Sequence, residues 1–255
     1  KAVWAKRKII NKKRKDMNFD NFSAPNYTRE QELAMAQAMP ILMRKVYTWM
    51  TMALIITGIA AYWVSQSVGL MNLMFSSRLT FFLLIGAQVG IVIYLSARIY
   101  KLSLQAATLW FIAYSVLTGV VFAPIILAFT GASIAKTFLI TAGTFGAMAV
   151  IGTTTKRDLS RMGSILTMGI IGLIIAMVVN IFLKSTMMDF IISGAGVLIF
   201  TGLTAWDVQN IKKQLSLAGN VSESTQKIAL LGALNLYLDF INLFLYLLRF
   251  FGDRK

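Results

Sequence analysis

Two acids in this sequence stand where an ionised side chain is hardest to keep. Asp239 is the single acid of Lys227 to Phe251, KIALLGALNLYLDFINLFLYLLRFF, and lies at its middle. As a helix the run reaches about 36 Å, slightly more than a ~30 Å hydrocarbon core. Asp239 is then too deep for a short side chain to reach the surface, at a depth where insertion costs ~2.5–3.5 kcal/mol, so it must face protein or water. Asn235, Asp239, Asn242 and Tyr246 fall at i, i+4, i+7 and i+11, the spacing of one helical face, which predicts a helix ringed by other helices. A neutral aspartic acid used as packing glue is the plainer alternative. The second acid, Asp207 in TGLTAWDVQNIKKQ, lies toward the cytosolic end of the preceding apolar segment. A short loop joins the two segments, so their helices are expected to be antiparallel neighbours. Along the helices Asp207 stands ~10 Å from Gln214 and Asp239 ~18 Å from Lys227, which permits a pair without requiring one. Asp189, near the outer end of the same segment as Asp207, is expected to be solvated.

Two carboxylates close together in a low-dielectric bundle cannot both ionise cheaply, so such a pair shares a proton and titrates in coupled steps. That is the chemistry of a proton sensor. The same oxygens are hard ligands, and a site with few charges holds calcium weakly enough to release it, so Asp207 and Asp239 are also the candidate calcium ligands. Arg98, at the cytosolic end of the second apolar segment, is positioned to compete for Asp207. No other chemistry is on offer: the chain has no cysteine and no histidine, which removes disulfides, thiol catalysis, thiolate or imidazole metal sites and His-based acid/base work.

The elements that must position these residues are membrane spans. The chain has 255 residues, 57% hydrophobic and 14% charged, with mean hydropathy +0.70, whereas about a quarter of residues are charged in soluble domains. Seven apolar segments are long enough to cross: Val46 to Ser65, Leu79 to Ala97, Leu104 to Phe129, Ser133 to Thr153, Ser164 to Leu183, Phe190 to Ile211 and Lys227 to Phe251. The short connections leave no room for a soluble domain, so residues 46–255 are read as one compact helical bundle. The net charge of +15 is concentrated at the start, with 11 of 25 basic residues in the first 45 positions, and anionic lipid headgroups are a simpler partner for it than nucleic acid. Residues 1–45 are read as a basic cytosolic tail, whose first fifteen residues can include non-native ones, followed by an interfacial helix. Thr28 and Gln31 form a capping box for that helix, and Pro40 is expected to interrupt it. Lys1 to Lys15 has no apolar core of the kind a secretory signal carries.

Arg98 and Lys101, then Lys156, Arg157 and Arg161, then Lys212, Lys213 and Lys227 mark alternate connections, which places the N-terminus in the cytosol. Seven spans from that start put Arg249, Arg254 and Lys255 outside, against the same trend, so the last segment either spans or re-enters. Close helix contacts are expected at Ala142 with Gly146, Gly143 with Ala147, and the cluster Ser193 to Gly196. Pro124 is expected to kink the third span.

ALNLYLDFINLFLYLLRFFG, with TAWDVQNI upstream and LMRKVYTWM before the first span, closely resembles the Bax inhibitor-1 family of membrane proteins, and SARIYKLSLQAATLWFIAYSVLTG fits its second and third spans. The resemblance runs from about Ile41 to Gly252 and is that of a bacterial-type member. It implies an all-α seven-transmembrane-helix bundle with the C-terminal helix central, and a pH-sensitive calcium leak in the plasma (inner) membrane, with calcium as transported ion and no cofactor. It places the family's paired aspartates on Asp207 and Asp239, its second-span arginine on Arg98 and its last-helix arginine on Arg249; the polar stripe of the last segment adds Asn235 and Asn242 as supporting polar groups. One departure is visible. Relatives that hold the leak shut set an acid of the second span against the last-helix arginine, but Leu79 to Ala97 holds only Gln88, so Arg249 is left to pair with Asp253 at i+4 or to face headgroups.

Other classes compete. Intramembrane aspartyl proteases use two acids on neighbouring spans, but in YD and GxGD contexts unlike AWDVQ and YLDFIN, so no enzyme is expected. A proton-coupled transporter would use the same carboxylates, though no inverted pair of broken helices is visible. A non-transporting regulator that binds another membrane protein, such as a membrane protease or a cell-death factor, would tolerate loss of both aspartates.

Overall fold

The computed structural model describes residues 29–75, 77–218 and 221–255, with side chains from Gln37 onward. The basic stretch Lys1 to Lys15 and Thr28 of the expected capping box lie outside the described residues. Eight helices and no strand are found among them: α1 Arg29–Ser65, α2 Val68–Phe75, α3 Arg78–Arg98, α4 Leu104–Ala128, α5 Gly131–Thr154, α6 Ser160–Leu183, α7 Thr186–Ala218 and α8 Glu223–Phe251. All but α2 are long and apolar enough to cross a membrane. The chain is an all-α membrane bundle, and α8 is one continuous helix of 29 residues, ~43 Å long.

The first helix shows how sequence pattern becomes packing. Leu42, Val46, Met50, Ala53, Thr57, Ala61 and Val64 recur every three or four residues and are all buried, so one stripe of α1 faces the bundle while Ile55, Ile59 and Trp63 face outward. The break expected at Pro40 does not occur. Proline removes one helical N–H, but Ala38, Leu42 and Met43 are buried on either side of it, and that packing carries α1 through. The expected boundary between residues 45 and 46 therefore falls inside a single helix.

Association of apolar helices in lipid depends on close approach and hydrogen bonds more than on the hydrophobic effect. Gly119 lets α4 approach α1: a Cβ there would lie 2.5 Å from the Thr57 carbonyl oxygen and 2.6 Å from the Ala60 Cβ. At that crossing the Thr57 hydroxyl donates to the Ser115 carbonyl (2.9 Å) and lies 2.7 Å from the Tyr237 hydroxyl. Having one proton, it gives that to Ser115 and accepts from Tyr237, tying α1, α4 and α8 together. The contacts expected at Gly143 and Gly146 are not made. Both are exposed with nothing near them, and the close contact of α5 falls on Gly152, which abuts the Ala205 carbonyl of α7. Gly196 of the second expected cluster does make its contact, against the Tyr246 ring. α8 packs against α1, α4, α5 and α7 and is the most buried of the seven spans, whereas α3 rests on α2 and α4, and α6 on α7.

Candidate functional site

The two acids meet on the seam between α7 and α8. These helices are joined across residues 219–222 and run antiparallel, held close where Gly196 takes the Tyr246 ring and Gly232 takes Ile211. Asp207 is flanked by Thr204, Ala205, Val208 and Ile211, all buried, with the Ala205 carbonyl against Gly152 of α5. Asp239 sits among Leu236, Tyr237, Phe240 and Leu243, also buried. The acids themselves are 8% and 5% exposed, and their carboxyls lie within hydrogen-bonding reach of each other. Ionised carboxylates only accept, so a hydrogen bond between the two requires a proton on one of them. The Oδ2 atom of Asp239 is buried without a partner among the described residues. No N–H or hydroxyl reaches this oxygen, which leaves a proton held with the neighbouring Asp207 carboxyl to meet it.

As a metal site the pair is sparse. No group of three acidic or other metal-binding side chains occurs among the described residues. Two carboxyls supply at most four oxygens where calcium takes ~6–8, so a cation here would keep part of its water shell and would not be caged.

The neighbouring candidates separate. Arg98 is exposed at the end of α3, on the rim of the bundle, and makes no ion pair with Asp207 among the described residues, so the expected competition is not formed. The polar stripe of α8 is also divided. At about 100° per residue, Asp239 stands roughly 40° to one side of Asn235, while Asn242 and Arg249 stand roughly 20° and 40° to the other. Asp239 accordingly turns inward; Asn235 is exposed and Asn242 half-buried, its amide donating to the Leu238 carbonyl (2.8 Å). Tyr246 is buried, stacked on Phe200 at 5.7 Å, with its hydroxyl toward the Met177 sulfur at 3.7 Å.

Arg249 pairs with neither Asp253 nor an acid of α3. Its Nη1 lies 3.9 Å from Oδ1 of Asp189, the acid expected to be solvated. Asp189 is half-exposed, as expected of a solvated acid, and is also held in place: the Asn180 amide donates to the same oxygen (2.7 Å), and the Asn180 side-chain carbonyl accepts from the Ser185 N–H (3.0 Å), bracing the α6–α7 turn. Asn180 and the Thr57–Tyr237 contact were not singled out in the sequence. The one available signal was the position of Asn180 nine residues before Asp189 across a short turn.

A bundle of seven spans with a buried carboxyl pair on its last two helices defines a polytopic membrane protein of a recognisable kind. Residues 39–255 match the family model described as inhibitor of apoptosis-promoting Bax1. The chain is 46% identical over 214 residues to the inner membrane protein YbhL of Escherichia coli K12, covering 84% of this chain and 92% of that one. It is also 46% identical over 211 residues to a protein of Borreliella burgdorferi (83% and 91%) and 45% identical over 213 residues to one of Rickettsia prowazekii (84% and 89%). This protein belongs to the Bax inhibitor-1 family and is a multi-pass integral membrane protein.

Proposed function

We propose that this protein is a pH-sensitive calcium leak of a bacterial plasma membrane, gated by a proton shared between Asp207 and Asp239. The observation that carries the reading is the pair itself: two buried carboxyls on antiparallel consecutive spans, in reach of each other, with no other group donating to the buried Oδ2 of Asp239. With one proton the pair is a satisfied hydrogen-bonded unit that holds α7 against α8. With none it is two like charges in a medium of low dielectric, which pushes the seam apart and presents anionic oxygens to a cation. A gate therefore needs no further titratable group. Few ligands and an incomplete shell favour passage over retention, as a leak requires. The N-terminus is taken as cytosolic from the alternation of basic connections, and the inner membrane is taken from the E. coli relative, an inner membrane protein by name.

The test is calcium entry into proteoliposomes carrying the purified chain, with Asp207→Asn and Asp239→Asn singly and together. Each single change should alter the pH dependence. Because the two share one proton, their effects should be non-additive, with a coupling of ~0.5–3 kcal/mol. Additive effects would mean two independent acids and would refute the shared gate.

A further inference from the structure

α4 packs against α1, α3 and α8, and α6 against α7, which leaves a groove between α4 and α6 floored by α8. Its volume is about 510 Å³, in the ~300–1,000 Å³ range of small-ligand sites. Phe81, Ile125, Met177 and Leu245 give it apolar walls, and two cations, Arg249 and Arg254, line its end next to the C-terminus of α8. An apolar slot in a membrane span with two arginines at one end matches an amphiphile with an anionic head.

We propose that this groove is a phospholipid site, in which one acyl chain lies along α8 and the phosphate is bound by Arg249 and Arg254. The mouth is built. After α8 ends, the chain turns back along the α4–α5 connection: the Thr130 N–H donates to the Asp253 carbonyl (3.1 Å), the Lys255 N–H to the Ala128 carbonyl (3.0 Å) and the Asp253 N–H to the Ser133 hydroxyl (2.9 Å). These bonds hold Arg254 at the groove, its guanidinium 5.8 Å from the centre of the Phe129 ring. Arg249 meets Asp189 at 3.9 Å, beyond hydrogen-bond length, and its side chain is 45% exposed, which leaves its donors available to a second anion. Guanidinium forks match phosphate oxygens in pairs. A free anion would satisfy the arginines and leave the apolar slot unfilled, whereas a phospholipid satisfies both. With two arginines and no acid among the lining residues, a headgroup of net negative charge is the better fit. The site stands on the groove and its cations and does not depend on the leak.

The full chain in mild detergent, titrated with dioleoyl phosphatidylglycerol and weighed intact by native mass spectrometry, tests this. Wild type should retain one lipid, and phosphatidylcholine should compete poorly. Arg249→Gln/Arg254→Gln should lower occupancy at least tenfold. Leu245→Trp, which fills the slot and keeps both arginines, should lower it comparably; Val121→Trp, from the α4 wall, serves if Leu245→Trp does not elute as a folded species. Lysophosphatidylglycerol should displace the lipid, and glycerol phosphate at the same concentration should not. Occupancy unchanged in the arginine variant would overturn the site. Loss in the arginine variant with no effect of either tryptophan, or displacement by glycerol phosphate, would reduce it to headgroup adsorption and overturn the acyl groove.

Discussion

Gly152→Ala is the sharpest test of how the bundle is held beside Asp207. A Cβ at Gly152 would overlap the Ala205 carbonyl, and the three nearest atoms all belong to the backbone of α7, which cannot rotate away. Overpacking costs ~1–3 kcal/mol, and contact with the backbone of Ala205, which has no rotamer to give way, puts this case at the top of that range. Alanine in place of glycine inside a helix returns about 0.5–1 kcal/mol, so the net loss is about 2 kcal/mol. Gly143→Ala, on the same helix, meets nothing within 4 Å and should keep only the gain of about 0.5–1 kcal/mol. The assay is unfolding in mixed micelles followed by helical circular dichroism, with calcium flux recorded in parallel because α7 must shift at Asp207 to admit the methyl group. The predicted order of stability is Gly143→Ala, wild type, Gly152→Ala. A Gly152→Ala protein as stable as Gly143→Ala would refute the packing.

Three further outcomes are expected. Thr57→Val removes the acceptor of the Tyr237 hydroxyl and the side-chain donor to Ser115, and should cost ~1 kcal/mol, with a Tyr237→Phe partner coupling by ~0.6 kcal/mol in a double-mutant cycle of unfolding; purely additive effects would deny the three-helix contact. Asp158, in the α5–α6 connection, accepts from the Ser160 hydroxyl (2.7 Å) and N–H (3.1 Å), which hold its carboxyl below the usual carboxylate value. A depressed value makes its contribution complete above the unfolded value of ~3.9 and lost as pH falls through the folded one, so Asp158→Asn should leave the flux profile between about pH 6 and pH 8 unchanged; a shifted profile there would implicate this loop. Finally, single cysteines at Ser222 and Lys255 of this cysteine-free chain should differ toward an impermeant thiol reagent added outside intact cells, Lys255→Cys labelled and Ser222→Cys protected; the reverse pattern would invert the topology.

The spans were legible because each carries a long apolar window, and hydropathy needs no knowledge of what packs where. Helix ends were not. Pro40 signals a break locally, yet buried neighbours on both sides override it, and α2 is too short and isolated for any pattern. Small-residue spacing located glycines without saying which face they occupy: Gly143 and Gly146 look outward, while Gly152 makes the contact. At the site, depth alone singled out Asp239, but the meeting with Asp207 depends on how two helices lie against each other, which rise per residue does not determine. The polar stripe of α8 spans roughly 80° from Asp239 to Arg249, enough to straddle the boundary between bundle and groove, so one sequence pattern serves two environments. Asp189 is solvated as its place near a helix end suggests, but its partners, Asn180 and Arg249, come from other helices and leave no mark in the local sequence.

The central claim is that one shared proton on Asp207 and Asp239 controls calcium passage. Its most direct test is the pH profile of calcium flux in proteoliposomes for Asp207→Asn/Asp239→Asn against wild type. Wild-type flux should change with pH, and the double variant, folded and inserted to the same extent, should show no pH dependence. A double variant that keeps the wild-type profile would contradict it, and would favour a regulator that works by binding another membrane protein.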